Sequence, residues 1–112
     1  TINDEYFQNY RRYPDFIQKY IFPGGMLPSI SSLEEPISNA GLKLISVKGF
    51  GKDYANTLAI WRKRFNQAWP EISKLGFDQK FKRMWNLYLC YCEGGFRAGS
   101  IDVKHLKIIP IK

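Results

Sequence analysis

The sequence has little of what usually carries metal or disulfide chemistry: one histidine and two cysteines among 112 residues. His105 has no partner nearby in sequence, and a lone histidine makes neither a triad nor a metal site. It is read as structural or solvent-exposed. Cys90 and Cys92 lie two apart in an expected helix and point to nearly opposite sides, which suits neither a disulfide nor a shared metal. Reduced, semi-buried thiols are expected. No zinc-ligand spacing and no glycine–lysine phosphate loop is present. No apolar run approaches the roughly 20 residues of a membrane-spanning helix. No secretory-type leader opens the chain, so a cytoplasmic location is the default expectation. Internal repeats and low-complexity segments are also missing.

What is present is aromatic and basic. Aromatic residues make up 16% of the chain and are spread along it. The length allows one domain with enough apolar content for a core. The net charge of +7 is uneven: residues 1–42 carry three basic and five acidic groups, whereas residues 43–83 carry ten and three. Such a basic segment could meet nucleic acid or the headgroups of an anionic membrane, or could form an ordinary solvated face. No nucleic-acid motif accompanies it, so no nucleic-acid partner is expected.

The clearest periodic signal runs from Lys52 to Trp69. Tyr54, Leu58, Trp61, Phe65 and Trp69 recur at spacings of three and four, which predicts an amphipathic helix. Asp53 is placed to cap it. Tyr54 then stands at the start of the apolar stripe, close to a helix end that favours anions. On spacing alone, a core tyrosine with a satisfied hydroxyl is the better reading and an anion site the lesser one.

The remaining elements follow in order. Residues 3–13 predict a short aromatic helix, capped by Asn3 or Asp4 and ended by Pro14. A further turn or two carries Phe16, Ile17, Tyr20 and Ile21. The loop over 20–29 contains Pro23, Gly24 and Gly25, and is unusually apolar for plain surface. It either packs under a neighbour or lines a greasy cavity. A helix over about 29–40 ends at Gly41. Leu42–Val47 predicts a strand apolar on both faces, as in the interior of a covered sheet. Pro70–Leu75 predicts a short segment closed by Gly76. A last helix starts at Asp78, with Phe81, Met84 or Trp85, Tyr88 and Cys92 on its apolar side. Gly94, Gly95 and Gly99 are expected to loosen its end. Ile101–Ile111 predicts a strand whose alternation slips, explained by a bulge near Lys104 or His105. Two strands of this character do not make a self-sufficient sheet.

Three stretches together resemble one family. Tyr20-Ile-Phe-Pro-Gly-Gly-Met-Leu-Pro-Ser29, Asp53-Tyr-Ala-Asn-Thr-Leu-Ala-Ile-Trp61 and Phe96-Arg-Ala-Gly-Ser-Ile-Asp-Val103 are similar to motifs of the cyclopropane-fatty-acyl-phospholipid synthases and the related mycolic-acid cyclopropane synthases. They occur in the family's order and at its approximate spacings. The resemblance implies an α/β architecture: the C-terminal part of a class I S-adenosylmethionine-dependent methyltransferase fold. Residues 1–112 would form a single partial domain with the last two sheet strands, the final one antiparallel, and without the cofactor-binding half. The complete enzyme would use S-adenosylmethionine and bicarbonate, neither expected to bind this chain alone. Gly49-Phe-Gly51 does not match the family's cofactor loop.

By the same resemblance, Tyr54 is the tyrosine that helps bind bicarbonate. Phe22, Met26, Leu27, Ile30 and Leu33 would line the acyl-chain channel. The family's reactive cysteine, glutamate and histidine lie upstream, so Cys90, Cys92, Glu93 and His105 take none of those roles. The implied partners are an unsaturated phospholipid, an anionic membrane surface, and either the missing N-terminal part or a second copy. The implied location is cytoplasmic and peripheral to the membrane. The alternative from a different class is a non-catalytic module that self-associates through exposed strand edges or binds a membrane surface.

Overall fold

Two long helices laid against each other organise the chain in a computed structural model describing residues 1–112. They are α3 (Gly51–Gln67) and α5 (Gln79–Ala98), and they bury Ala55 and Leu58 of the first against Leu89, Cys92 and Phe96 of the second. The pair is antiparallel. Asn66 and Asn86 exchange side-chain amide bonds at 2.7 and 3.0 Å, while at the other end Arg97 donates to Asn56 at 3.3 Å. Between them α4 (Trp69–Ser73) carries Pro70 in its first turn, where a missing N–H costs nothing, and buries Trp69.

The ends of these helices correct two expectations. Asp53 does not cap α3: the helix starts two residues earlier, at Gly51, and Asp53 lies inside its first turn without a capping bond. The early start follows from the tie between the Phe50 N–H and the Val103 carbonyl at 3.0 Å, which sets where the chain turns. Nor do Gly94 and Gly95 loosen α5, which runs through both to Ala98 and is closed by Gly99 at φ 79°. Gly95 instead makes room for Ile101, whose Cδ1 would stand 2.9 Å from a Cβ there. The start of α5 is as expected, with the Asp78 carboxylate accepting from the Phe81 N–H at 2.9 Å.

Before this pair come α1 (Asp4–Arg12), a single π-helical stretch over Ile17–Ile21, and α2 (Ile30–Asn39). Ser29 and Ser32 form a reciprocal capping box at the start of α2. The strands β1 (Leu42–Gly49) and β2 (Lys104–Pro110) pair antiparallel, Leu42 opposite Pro110 and Gly49 opposite Lys104. β2 is shorter than the segment Ile101–Ile111; Ile101 instead bridges to Ile2. The irregularity is in β1 rather than near Lys104: Leu44 pairs with Ile108 and Ser46 with Lys107, leaving Ile45 as the extra residue.

β1 is also not enclosed as its apolar character suggests. Ile45 and Val47 are exposed, as are Ile108 and Ile109 of β2. With two strands only, neither face of the sheet is fully covered, although α2 packs against β1.

Candidate functional site

Where the loop after the π-helical stretch crosses the α3–α5 pair, it closes a cavity of about 430 Å³. Twelve of its seventeen lining residues are hydrophobic, which suits an apolar ligand within the usual range for small-molecule sites. Helical spacing explains the lining. Tyr54 and Leu58 are one turn apart on α3, and Tyr88, Cys92 and Phe96 descend one face of α5 at intervals of four. Phe22, Met26 and Leu27 of the loop form the opposite wall, and Ile101 to Val103 close one end. The π-helical stretch supplies Ile17 and Gln18, and π-helical turns are enriched at functional sites.

Two bonds tie down the loop and a third fixes the residue ahead of the π-helical stretch. Tyr10 of α1 accepts the Leu27 N–H at 2.8 Å, Gln18 donates to the Gly25 carbonyl at 3.1 Å, and Tyr91 of α5 donates to Asp15 at 3.1 Å. Phe22 meets Tyr88 edge-on at 6.1 Å. The structure therefore brings four of the residues singled out in the sequence into one cavity: Tyr54, Phe22, Met26 and Leu27. Ile30 and Leu33 lie on α2, beyond the Ser29 cap and outside the lining.

Tyr54 is held by its ring. It meets Phe96 edge-on at 4.9 Å and Trp61 at 5.8 Å, and its hydroxyl makes no hydrogen bond within the chain. That leaves a free donor on an apolar wall. Burial raises the neighbouring Tyr88 phenol above its ordinary range, reinforced by Cys92 and Tyr54, so Tyr88 stays a neutral O–H. Cys92 completes the group. Burial, with a smaller effect of the Asp15 charge, pushes its thiol up to about 11. Tyr88 and Cys92, both held in the protonated form at neutral pH, thus stand with Tyr54 beside a mainly apolar space whose lining also includes Thr1, Asp15, Gln18 and Asp102.

Tyr88 and Cys92 join the cavity in addition to the residues that the sequence points to, from the helical stripe on which it places both. The signal was there: positions 88, 92 and 96 continue the α5 stripe that meets Tyr54 and Leu58. His105 lies on the far side of the β1–α3 junction, exposed and edge-on to Phe50 at 4.6 Å.

A nucleotide cofactor requires a backbone cradle, and Gly49-Phe50-Gly51 is the one glycine pair that follows a strand and opens a helix. The residues do not fit. A Cβ at Gly49 would overlap Asp102 Oδ2, and one at Gly51 would stand 2.6 Å from Asp102 Oδ1. The space that a phosphate would need is filled by the chain's own carboxylate, which would also repel it. An anion such as bicarbonate is a different case. The unpartnered Tyr54 hydroxyl on the cavity wall, with Tyr88 beside it, fits the need for donors.

Helices flanking an antiparallel terminal strand pair, with an apolar cavity beside them, define part of a class I S-adenosylmethionine-dependent methyltransferase fold. A model of the mycolic acid cyclopropane synthetase family matches residues 1–106, and the chain belongs to that family. It is 45% identical over 95 residues to the tuberculostearic acid methyltransferase UfaA1 of Mycobacterium tuberculosis, covering 84% of this chain and 22% of that protein. To the cyclopropane-fatty-acyl-phospholipid synthase of Escherichia coli it is 42% identical over 88 residues, 79% of this chain and 22% of that one. Among solved structures it superposes on the mycolic acid cyclopropane synthase CmaA1 complexed with SAH and CTAB with a TM-score of 0.76. That match has 32% identity and covers 90% of this chain and 35% of the other. The chain thus spans about a fifth of the length of these curated relatives and about a third of the solved one.

Proposed function

We propose that this chain is the distal part of an enzyme that transfers a methylene from S-adenosylmethionine to the double bond of an unsaturated phospholipid acyl chain. The observation that carries this reading is the Tyr54 hydroxyl, without a hydrogen-bond partner in the chain, on the wall of a mainly apolar cavity whose lining includes Phe22, Met26, Leu27, Leu58 and Phe96. Such a space suits an acyl chain and a single directed polar interaction. Bound in the complete enzyme, S-adenosylmethionine supplies the methyl group and bicarbonate supplies a base. The Asp102 carboxylate against Gly49 and Gly51 supports a reading in which the first is held by the rest of the enzyme.

What the residues here contribute is orientation and environment. Phe22, Met26 and Leu27 hold the acyl chain by apolar contact and exclude water from the reacting bond. Methyl transfer to an alkene leaves a cationic carbon, and the faces of Tyr54, Tyr88 and Phe96 offer it the negative side of their ring quadrupoles. The Tyr54 hydroxyl donates to the bound anion and fixes its position, so that a proton can leave the new methyl as the ring closes. Cys92, protonated at working pH, adds bulk and no charge. No helix is long and apolar enough to cross a membrane, and the excess of positive charge suits a cytoplasmic enzyme peripheral to an anionic bilayer.

The test is direct: the native polypeptide carrying this chain is supplied with S-adenosylmethionine and vesicles of an unsaturated phospholipid. Gas chromatography with mass spectrometry should find a cyclopropane acyl product. A methyl-branched product would keep the methyltransferase reading and change the outcome after methyl transfer. No product from either route would overturn it. One observation favours a second reading, a non-catalytic module that self-associates: Ile45, Val47, Ile108 and Ile109 are exposed on an uncovered two-stranded sheet. A native chain of this length alone, dimeric in solution and without transferase activity, would select it.

A further inference from the structure

At the far end of the helical hairpin, the turn between α4 and α5 sets two apolar side chains among unpaired cations. Leu75 is 77% exposed and Phe77 44%, on either side of Gly76, which turns the chain at φ 99°. The turn is braced from behind. Phe77 packs on Phe81 at 4.6 Å, and Phe81 in turn meets Trp85 at 5.6 Å and Phe65 at 6.2 Å. One exposed leucine needs no explanation. An outward leucine and phenylalanine on an aromatic support, in a stretch where basic groups outnumber the carboxylates Glu71 and Asp78, is a more specific arrangement.

The charge comes from Lys63 and Arg64 in the last turns of α3 and from Lys80 and Arg83 in the first turns of α5, all exposed. None has a carboxylate partner, since the chain's two ion pairs are Lys74–Glu71 and Arg97–Glu93. Nearby Asp78 is committed to capping α5. We propose that this tip docks on the surface of an anionic phospholipid bilayer. Leu75 and Phe77 enter the boundary between headgroups and acyl chains, and the four cations meet headgroup phosphates. Charge selects this occupant. A second copy would bring the same cations face to face, and like charges across an interface are unfavourable. Tyr54 lies thirteen residues from the end of α3, or roughly 20 Å at the helical rise. The tip therefore grips a surface without entering the cavity.

The proposal rests on the reading of an enzyme peripheral to an anionic bilayer, and because such binding requires neither cofactor nor turnover, its failure is distinguishable from failure of the methyltransferase reading. The experiment is co-sedimentation of the native polypeptide with phosphatidylglycerol-containing vesicles and with pure phosphatidylcholine vesicles, at low and high salt. Each cation near such a surface is worth about fivefold in affinity. Lys80→Gln/Arg83→Gln should therefore lower binding to anionic vesicles at least tenfold, and Leu75→Ser/Phe77→Ser should do the same, with melting temperatures near that of the parent. Lys43→Gln/Lys48→Gln on β1 removes equal charge elsewhere and should lower binding less than threefold. An equal loss with the β1 pair, tip variants within twofold of the parent, or no preference for anionic vesicles would each overturn the proposal.

Discussion

Tyr54 packs edge-on against Phe96 with ring centroids 4.9 Å apart, joining the first turn of α3 to the last turn of α5. The contact uses the ring and leaves the hydroxyl to the cavity, so packing and chemistry can be separated at one residue. Tyr54→Phe in the native polypeptide keeps the ring contacts with Phe96 and Trp61, and the melting temperature should stay within a degree or two. Turnover should fall about 100-fold or more, the scale of a lost positioned proton-transfer contribution. Steady-state kinetics alongside a thermal melt measure both. Full turnover in the variant would remove Tyr54 from the chemistry.

The β1–α3 junction offers a second separation, of backbone freedom from side-chain fit. Gly49 has an ordinary negative φ, so a side chain is excluded there by Asp102 rather than by backbone strain. Gly49→Ala should destabilise the fold by about 1–3 kcal/mol, the range for overpacking a filled site. Asp102→Ala clears the obstructing oxygen, so the second substitution should cost much less in that background. A double-mutant cycle by urea denaturation measures the coupling. Additive effects would mean that Asp102 is not what requires glycine.

These two relationships mark what could and could not be read along the chain. The stripe of Tyr54, Leu58 and Phe65 and the stripe of Phe81, Tyr88 and Cys92 were legible because helical period reports a buried face directly. Which stripe meets which is a tertiary fact, and so Cys92 and Tyr88 entered the cavity unannounced. Asp53 looked like a cap because nothing local reveals that the Phe50 N–H bonds to Val103, some fifty residues away. The bulge was expected in the strand whose alternation slips, but the extra residue is Ile45 in the partner, and a slip in one strand can be absorbed by either. The family itself is legible in three motifs, because residue types matched in order along most of the chain are more specific than any one periodicity.

The raised thiol of Cys92 gives a pH prediction. Its pKa is about 11 in the folded chain against an ordinary value of 9.0. The folded state therefore holds this proton more tightly than the unfolded state. Its contribution to stability is fully present below about pH 9 and is lost as pH rises from there towards about 11. Denaturation midpoints should fall across that window, and Cys92→Ala should remove part of the fall. In the unsubstituted chain at pH 8, peptide mapping after brief alkylation should find exposed Cys90 modified well before buried Cys92. Equal labelling of the two would contradict the burial that raises the thiol.

Ser29 is the most buried polar side chain, 1% exposed, and sits where the cavity loop passes into α2. Its hydroxyl accepts from the Ser32 N–H at 3.2 Å while the Ser32 hydroxyl accepts from the Ser29 N–H at 3.0 Å. Ser29→Ala would leave a donor of the first turn of α2 unpaired in a buried place, costing about 1–2 kcal/mol. Ser29→Thr keeps an acceptor oxygen but adds a methyl where no space is left, so it should destabilise by overpacking rather than by loss of the cap. Ser32→Ala removes only the outer, half-buried half of the box and should cost less than Ser29→Ala. Chemical denaturation of the three variants gives the order. If Ser32→Ala proves the most damaging, the reciprocal bond rather than the buried hydroxyl holds the loop to the helix.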